Sequence, residues 1–86
     1  MKEIEINGQK ITVASSVDAV GLFCPVPIVK LTLECEQINP HQIIEVLADD
    51  PAFKEDVINW CQETKNKLLS VKKNDDDIFV AYVEKT

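Results

Sequence analysis

Two hydrophobic periodicities alternate along this chain, and the order of that alternation constrains the fold more than any other feature. Ile4-Glu5-Ile6 and Ile11-Thr12-Val13 keep the two-residue repeat of half-buried strands, with Asn7-Gly8 between them. Asn-Gly suits the primed turns whose twist matches paired strands, so the start reads as a β-hairpin. Val17-Asp18-Ala19-Val20 is a further short extended segment. The repeat then changes. From Pro25 to about Gln37, Ile28, Leu31, Cys35 and Ile38 fall three and four apart, which is the spacing of one helical face. Asn39-Pro40-His41-Gln42 breaks the helix, and the β-branched run from Ile43 to Ala48 reads as a central strand.

Asp49-Asp50-Pro51 opens a second helix, with Asp50 a preferred N-cap and Pro51 suited to the first helical position. Phe53, Val57, Trp60, Cys61 and Thr64 form its buried stripe. Lys65 and Lys67 crowd its end, where cations suit the helix dipole, and Asn66 fits a left-handed terminal position. Leu68–Val71 and Ile78–Val83 are the last strands, joined through Asn74-Asp75-Asp76-Asp77. The order predicts an α+β fold, with two helices packed on one face of a mixed four-stranded sheet and an extra N-terminal β-hairpin. A chain of 86 residues has room for one modest core. Residues 1–86 are therefore expected to form a single domain, with 1–16 the hairpin extension and 17–86 the core.

Composition removes several classes of function. Hydrophobic residues make up 45% of the chain, enough for a folded domain. No apolar run is long enough to cross a bilayer, and Met1-Lys2-Glu3-Ile4-Glu5 is no signal peptide. Three cysteines without zinc-type spacing imply neither a disulfide framework nor a structural metal site, and a reducing cytoplasm is the expected compartment. The net charge of −6 argues against direct nucleic-acid binding and favours a positively charged protein partner.

Chemistry concentrates at Cys24-Pro25-Val26-Pro27, where the helical pattern begins. Proline is tolerated in a first helical turn because its missing N–H would have had no partner there. The most economical reading places Cys24 at the N-cap, Pro25 at N1 and Pro27 at N3. Free N–H groups and the positive end of the dipole would then face the sulfur and favour thiolate over thiol. Ser, Asp or Asn would cap this helix better, so a cysteine here points to chemistry. The competing reading is a small residue filling a tight corner.

The stretch from Asp18 to Pro27, with Lys30 beyond it, resembles the signature of the TusA/SirA-like sulfur carrier family. Ala48-Asp49-Asp50-Pro51, Asp56-Val57 and Trp60-Cys61 resemble that family's second block, so the resemblance spans Val17 to Val83. It implies a two-layer α/β sandwich and a cytoplasmic protein whose cysteine carries sulfur as a persulfide. The sulfur-accepting residue falls on Cys24, and Asp18, Gly21, Leu22, Pro25 and Pro27 fall on the supporting motif. Phe23, Val26 and Lys30 are candidate partner contacts. The implied donor is a cysteine desulfurase or a rhodanese-type protein. The acceptor would serve tRNA thiolation, molybdenum cofactor maturation or dissimilatory sulfur metabolism, and a membrane sulfur transporter is among the clients the resemblance allows. Val26 stands where relatives serving tRNA thiolation often carry an acidic residue. Lys65-Asn66 replace a common Gly-His pair, and Pro40-His41 occupy a loop that often holds glycine.

Sulfur relay needs a nucleophilic thiolate and an exposed product, and neither a cofactor nor a metal is expected. The protein would be a covalent carrier of sulfurtransferase type, not a self-contained enzyme. Alternatives are a non-catalytic regulatory or interaction domain, and a selenium-handling or thiol-redox protein using the same cysteine. Cys35, about 16 Å along the helix from Cys24, is no local resolving thiol. Cys35 and Cys61 lie on apolar stripes and read as buried small hydrophobes. Capping accounts for Asp50, a solvated loop for Asp49, a surface turn for His41 and the core for Trp60. Asp75-Asp76-Asp77 reads as a solvated turn.

Overall fold

Positive φ at both Asn7 (52°) and Gly8 (82°) makes the primed turn that Asn-Gly favours. It folds β1 (Lys2–Ile6) back on β2 (Gln9–Ala19), with Ile4 opposite Ile11. The computed structural model describes residues 2–86. It continues through α1 (Val26–Gln37), β3 (Ile43–Ala48), α2 (Phe53–Thr64), β4 (Lys67–Lys73) and β5 (Phe79–Glu84). The strands form one mixed sheet in the order β1-β2-β3-β5-β4, with β2 parallel to β3 and the other pairs antiparallel.

The expected four-stranded sheet with an appended hairpin is thus a single five-stranded sheet. The hairpin's second strand and the segment at Val17–Val20 are one strand. Against β3 the register slips between Val13 and Ser15, so Ala14 is an extra residue and the strand bulges without breaking. A bulge inverts the phase of alternation. Val17 and Ala19 accordingly join the core under the helices, whereas Val13, although 2% exposed, does not.

That core packs Leu31 and Cys35 of α1, with Phe53, Val57, Trp60 and Cys61 of α2, onto Ile44, Val46, Ala48, Ala81 and Val83 of the sheet. Each large side chain so buried stabilises the fold by roughly 1.5–3 kcal/mol. Helix ends depart from expectation by one or two residues. Phe53, not Pro51, starts α2, because Pro51 and Ala52 lie in a turn closed by Phe53 N–H donating to Asp50 O at 2.9 Å. Lys65 (φ 62°), not Asn66, is the left-handed residue at the end of α2. The Asn66 side chain is occupied instead with Thr64 Oγ1 and the Thr86 N–H. Thr64, expected in the buried stripe, is exposed, with its hydroxyl donating to Trp60 O at 2.7 Å. Lys85 Nζ donates to Cys35 O and Ile38 O, both at 2.8 Å, placing a cation on the orphan carbonyls that end α1.

On the opposite face of the sheet, Ser16, Glu45 and Tyr82 stand side by side across β2, β3 and β5. Glu45 is 5% exposed. Its carboxylate accepts from Ser16 Oγ at 3.1 Å and Tyr82 Oη at 2.8 Å, and pairs with Lys2 Nζ at 2.8 Å. Burial alone would raise its pKa, but the bonds from Lys2, Tyr82 and Ser16 outweigh burial and hold it below the usual range. Burial and the bond to Glu45 push Tyr82 up to about 12. A carboxylate lowered on folding contributes stability that is present above its unfolded pKa, about 4.3, and lost as pH falls through the folded value. Urea midpoints should therefore drop more steeply on acidification for the wild type than for Glu45→Gln, the two curves converging at low pH. Parallel curves would show that Glu45 does not drive acid sensitivity.

Candidate functional site

Because β2 and β3 are parallel, their carboxyl ends lie side by side, with Ala19 opposite Ala48, and the loops that follow them meet. The first loop is Val20–Pro25. Asp18 Oδ1 accepts from Val20 N at 3.0 Å, and Gly21 turns the chain with φ of 86°, a conformation that favours glycine. Leu22 packs against the core, and Phe23 projects with 72% of its surface exposed. The second loop supplies carboxylates. Gly21 N–H donates to Asp49 Oδ1 at 2.9 Å and Cys24 N–H donates to Asp50 Oδ2 at 2.7 Å. Buried Asp50 also accepts from Ala52 N–H through Oδ1 at 3.2 Å. One side chain thus ties the start of α2 to the cysteine loop. Capping and solvation do not account for Asp49 and Asp50; both bind the motif.

Cys24 is exposed, and Cys35 and Cys61 are buried, as their patterns implied. Cys24 does not cap α1. Pro25 occupies that position, the Cys24–Pro25 peptide is cis, and the helix begins at Val26. Val26 N–H is taken by Phe23 O at 2.9 Å, and neither proline has an N–H to offer. The expected cradle of free amides is therefore reduced. The neighbouring Asp56 carboxylate, then partial desolvation, then the charge of Asp50 raise the Cys24 pKa above its ordinary value. These carboxylates disfavour the thiolate.

A cleft of about 210 Å³ opens beside the sulfur, between Cys24, Pro25 and Ile28 on one side and Asp56, Asn59, Trp60 and Glu63 of α2 on the other. Trp60 is mostly buried, as a core residue would be, with its indole N–H donating to Thr32 Oγ1 at 3.0 Å, yet it also floors this cleft. Val20, Phe23, Val26, Val29 and Leu33 are large apolar side chains left exposed on the cysteine loop and α1. Lys30 Nζ donates to Asp18 O at 3.2 Å, tying α1 to the end of β2. His41 is an exposed turn residue with φ of 72°. In the Asn74–Asp77 turn, Asn74 Oδ1 accepts from Asp76 N–H and Ile78 N–H. Among the described residues no helix is long and apolar enough to span a membrane, and no group of His, Cys, Asp or Glu is placed to hold a metal.

The residues that sequence reasoning missed are the carboxylates acting on Cys24. Asp50 was visible only as a cap, and Asp56 only as part of the second block.

Fold and site together define a small α+β domain that presents one exposed cysteine where a strand-to-helix loop enters its first helix. Residues 15–85 match the family described as Sulfurtransferase TusA, and the chain belongs to the TusA family. A protein of Aquifex aeolicus provisionally named a sulfur carrier is 33% identical over 81% of this chain, which spans only 35% of that protein's length. The sulfur carrier protein TusA of Pseudomonas syringae pv. syringae is 27% identical, over 90% of each chain. The crystal structure of a SirA-like protein from Desulfitobacterium hafniense superposes with a TM-score of 0.74 at 14% identity, covering 81% of this chain and 95% of that one, which establishes the shared fold.

Proposed function

We propose that this protein is a sulfur carrier that holds sulfur as a persulfide on Cys24 and relays it between proteins. The observation that carries the reading is the placement of the thiol. Cys24 is the one exposed cysteine, and its backbone is fixed to the scaffold through Asp50. The names of the relatives point the same way. In loading, the Cys24 thiol gives its proton to solvent and the thiolate attacks the outer sulfur of a donor persulfide. The donor S–S bond breaks, its electron pair leaves on the donor thiolate, and a persulfide forms on Cys24.

A raised pKa lowers the thiolate fraction but makes the thiolate that forms more nucleophilic, so donors with a more acidic leaving thiol load it best. A cysteine desulfurase or a rhodanese-type protein in the cytoplasm fits that demand. Exposed Phe23, Val26 and Val29 offer apolar contact on the cysteine loop and α1. The acceptor belongs to tRNA thiolation, cofactor maturation or sulfur metabolism.

Intact-protein mass spectrometry after incubation with a desulfurase and free cysteine tests the reading. A gain of one sulfur atom, removed by a reductant, is expected. No gain from desulfurase, rhodanese or polysulfide donors would overturn it and favour a docking module.

A further inference from the structure

The cleft beside Cys24 carries the carboxylates of Asp56 and Glu63 on α2 and, among the described residues, no lysine or arginine lines it. Asp50, the third carboxylate here, is committed to the Cys24 and Ala52 amides. Acidic groups beside a thiol that must attack as an anion work against loading, since they disfavour the charged nucleophile. Their advantage lies in unloading. Any thiolate can attack the outer sulfur of a persulfide: the new S–S bond forms on the attacker, the Cys24–sulfur bond breaks, and the electron pair leaves on Cys24 Sγ. A free small thiol that did this would waste the cargo.

A carboxylate against Cys24 opposes that loss in two ways. It repels the approaching anion, and it destabilises the thiolate that must leave. An acceptor protein that brings a lysine or arginine into the cleft cancels both effects. We propose that Asp56, with Glu63, sets acceptor specificity, excluding small anionic thiols and admitting a protein acceptor that presents a cation beside its own thiol. The proposal rests on the carrier reading. A merely structural role would be the favourable placement of Asp56 in the first turn of α2.

Alkylation separates the two without any sulfur chemistry. Cys24 is modified in parallel with neutral iodoacetamide and anionic iodoacetate, in wild type, Asp56→Asn and Asp56→Asn/Glu63→Gln. The iodoacetate-to-iodoacetamide rate ratio should rise about three- to tenfold in the variants at low salt. The gain should shrink at high salt, where the screening length falls to about 3 Å. A structural role would change both rates alike, so an unchanged ratio overturns the proposal. Persulfide-loaded protein is then challenged with glutathione, which is anionic, and cysteamine, which carries an ammonium group. Wild type should lose sulfur faster to cysteamine, and Asp56→Asn should narrow that gap. A gap left unchanged in both variants overturns acceptor selection. Failure to load at all, with the alkylation ratio shifted, overturns the carrier reading instead.

Discussion

Cys24→Ser is expected to abolish sulfur loading completely while leaving the melting transition in place. The substitution changes one exposed heavy atom, so it opens no cavity. The hydrogen bond that anchors the loop is donated by the Cys24 backbone N–H, which serine retains. Exposed substitutions of this kind usually fall within about 0.5 kcal/mol. Neither remaining cysteine can replace the lost one. Both are buried, and burial with the nearby Cys35 pushes the Cys61 thiol up to about 11, leaving about one part in ten thousand as thiolate near neutral pH. Intact mass after donor treatment, read beside Cys61→Ser and Cys35→Ser, checks this. Those two variants should load normally. Sulfur retained by Cys24→Ser would move the carrier site elsewhere, and loss of loading in Cys61→Ser would point to a dithiol mechanism.

Local pattern made much of this molecule legible. The limits of β3 match its β-branched run, and α1 keeps the face of Leu31 and Cys35, because strand and helix periods are fixed by backbone geometry within a few residues. The sequence signal failed where two segments meet. The bulge at Ala14 reverses which residues face the helices, so a single long strand reads as a hairpin arm and a separate short strand. The electrostatics of the site failed for the same kind of reason. Asp50 lies 26 residues from Cys24, and only the parallel pairing of β2 with β3 brings the two loops together. A helix mouth read alone implies an activated thiolate, whereas the same mouth with Asp50 and Asp56 folded against it raises the thiol's pKa. Glu45 likewise reads as one charged residue in an apolar strand until Ser16, Tyr82 and Lys2 are placed around it.

The core residue on which the site leans most is Phe53, and Phe53→Ala is expected to cost about 3–5 kcal/mol. The side chain is fully buried, and its ring packs against Phe79 with centroids 6.2 Å apart and planes tilted by 39°, a geometry that adds about 0.5–1.5 kcal/mol to burial. At the usual 0.05–0.15 kcal/mol per residue, a chain of 86 residues holds roughly 4–13 kcal/mol in all, so this change removes a large share. The melting temperature should fall by at least about 12 °C. Phe53→Leu, which leaves a smaller cavity, should fall less. The site should respond before the fold does. Phe53 N–H donates to Asp50 O, and Asp50 in turn holds the Cys24 amide, so a cavity at the first residue of α2 slackens the segment that fixes the thiol. Alkylation of Cys24 well below the melting temperature should accordingly change in Phe53→Leu, whereas an equally destabilising substitution in the Glu45 cluster on the opposite face should leave it alone. If both variants altered Cys24 equally, the link would be general loosening of the domain and not the Phe53–Asp50–Cys24 chain.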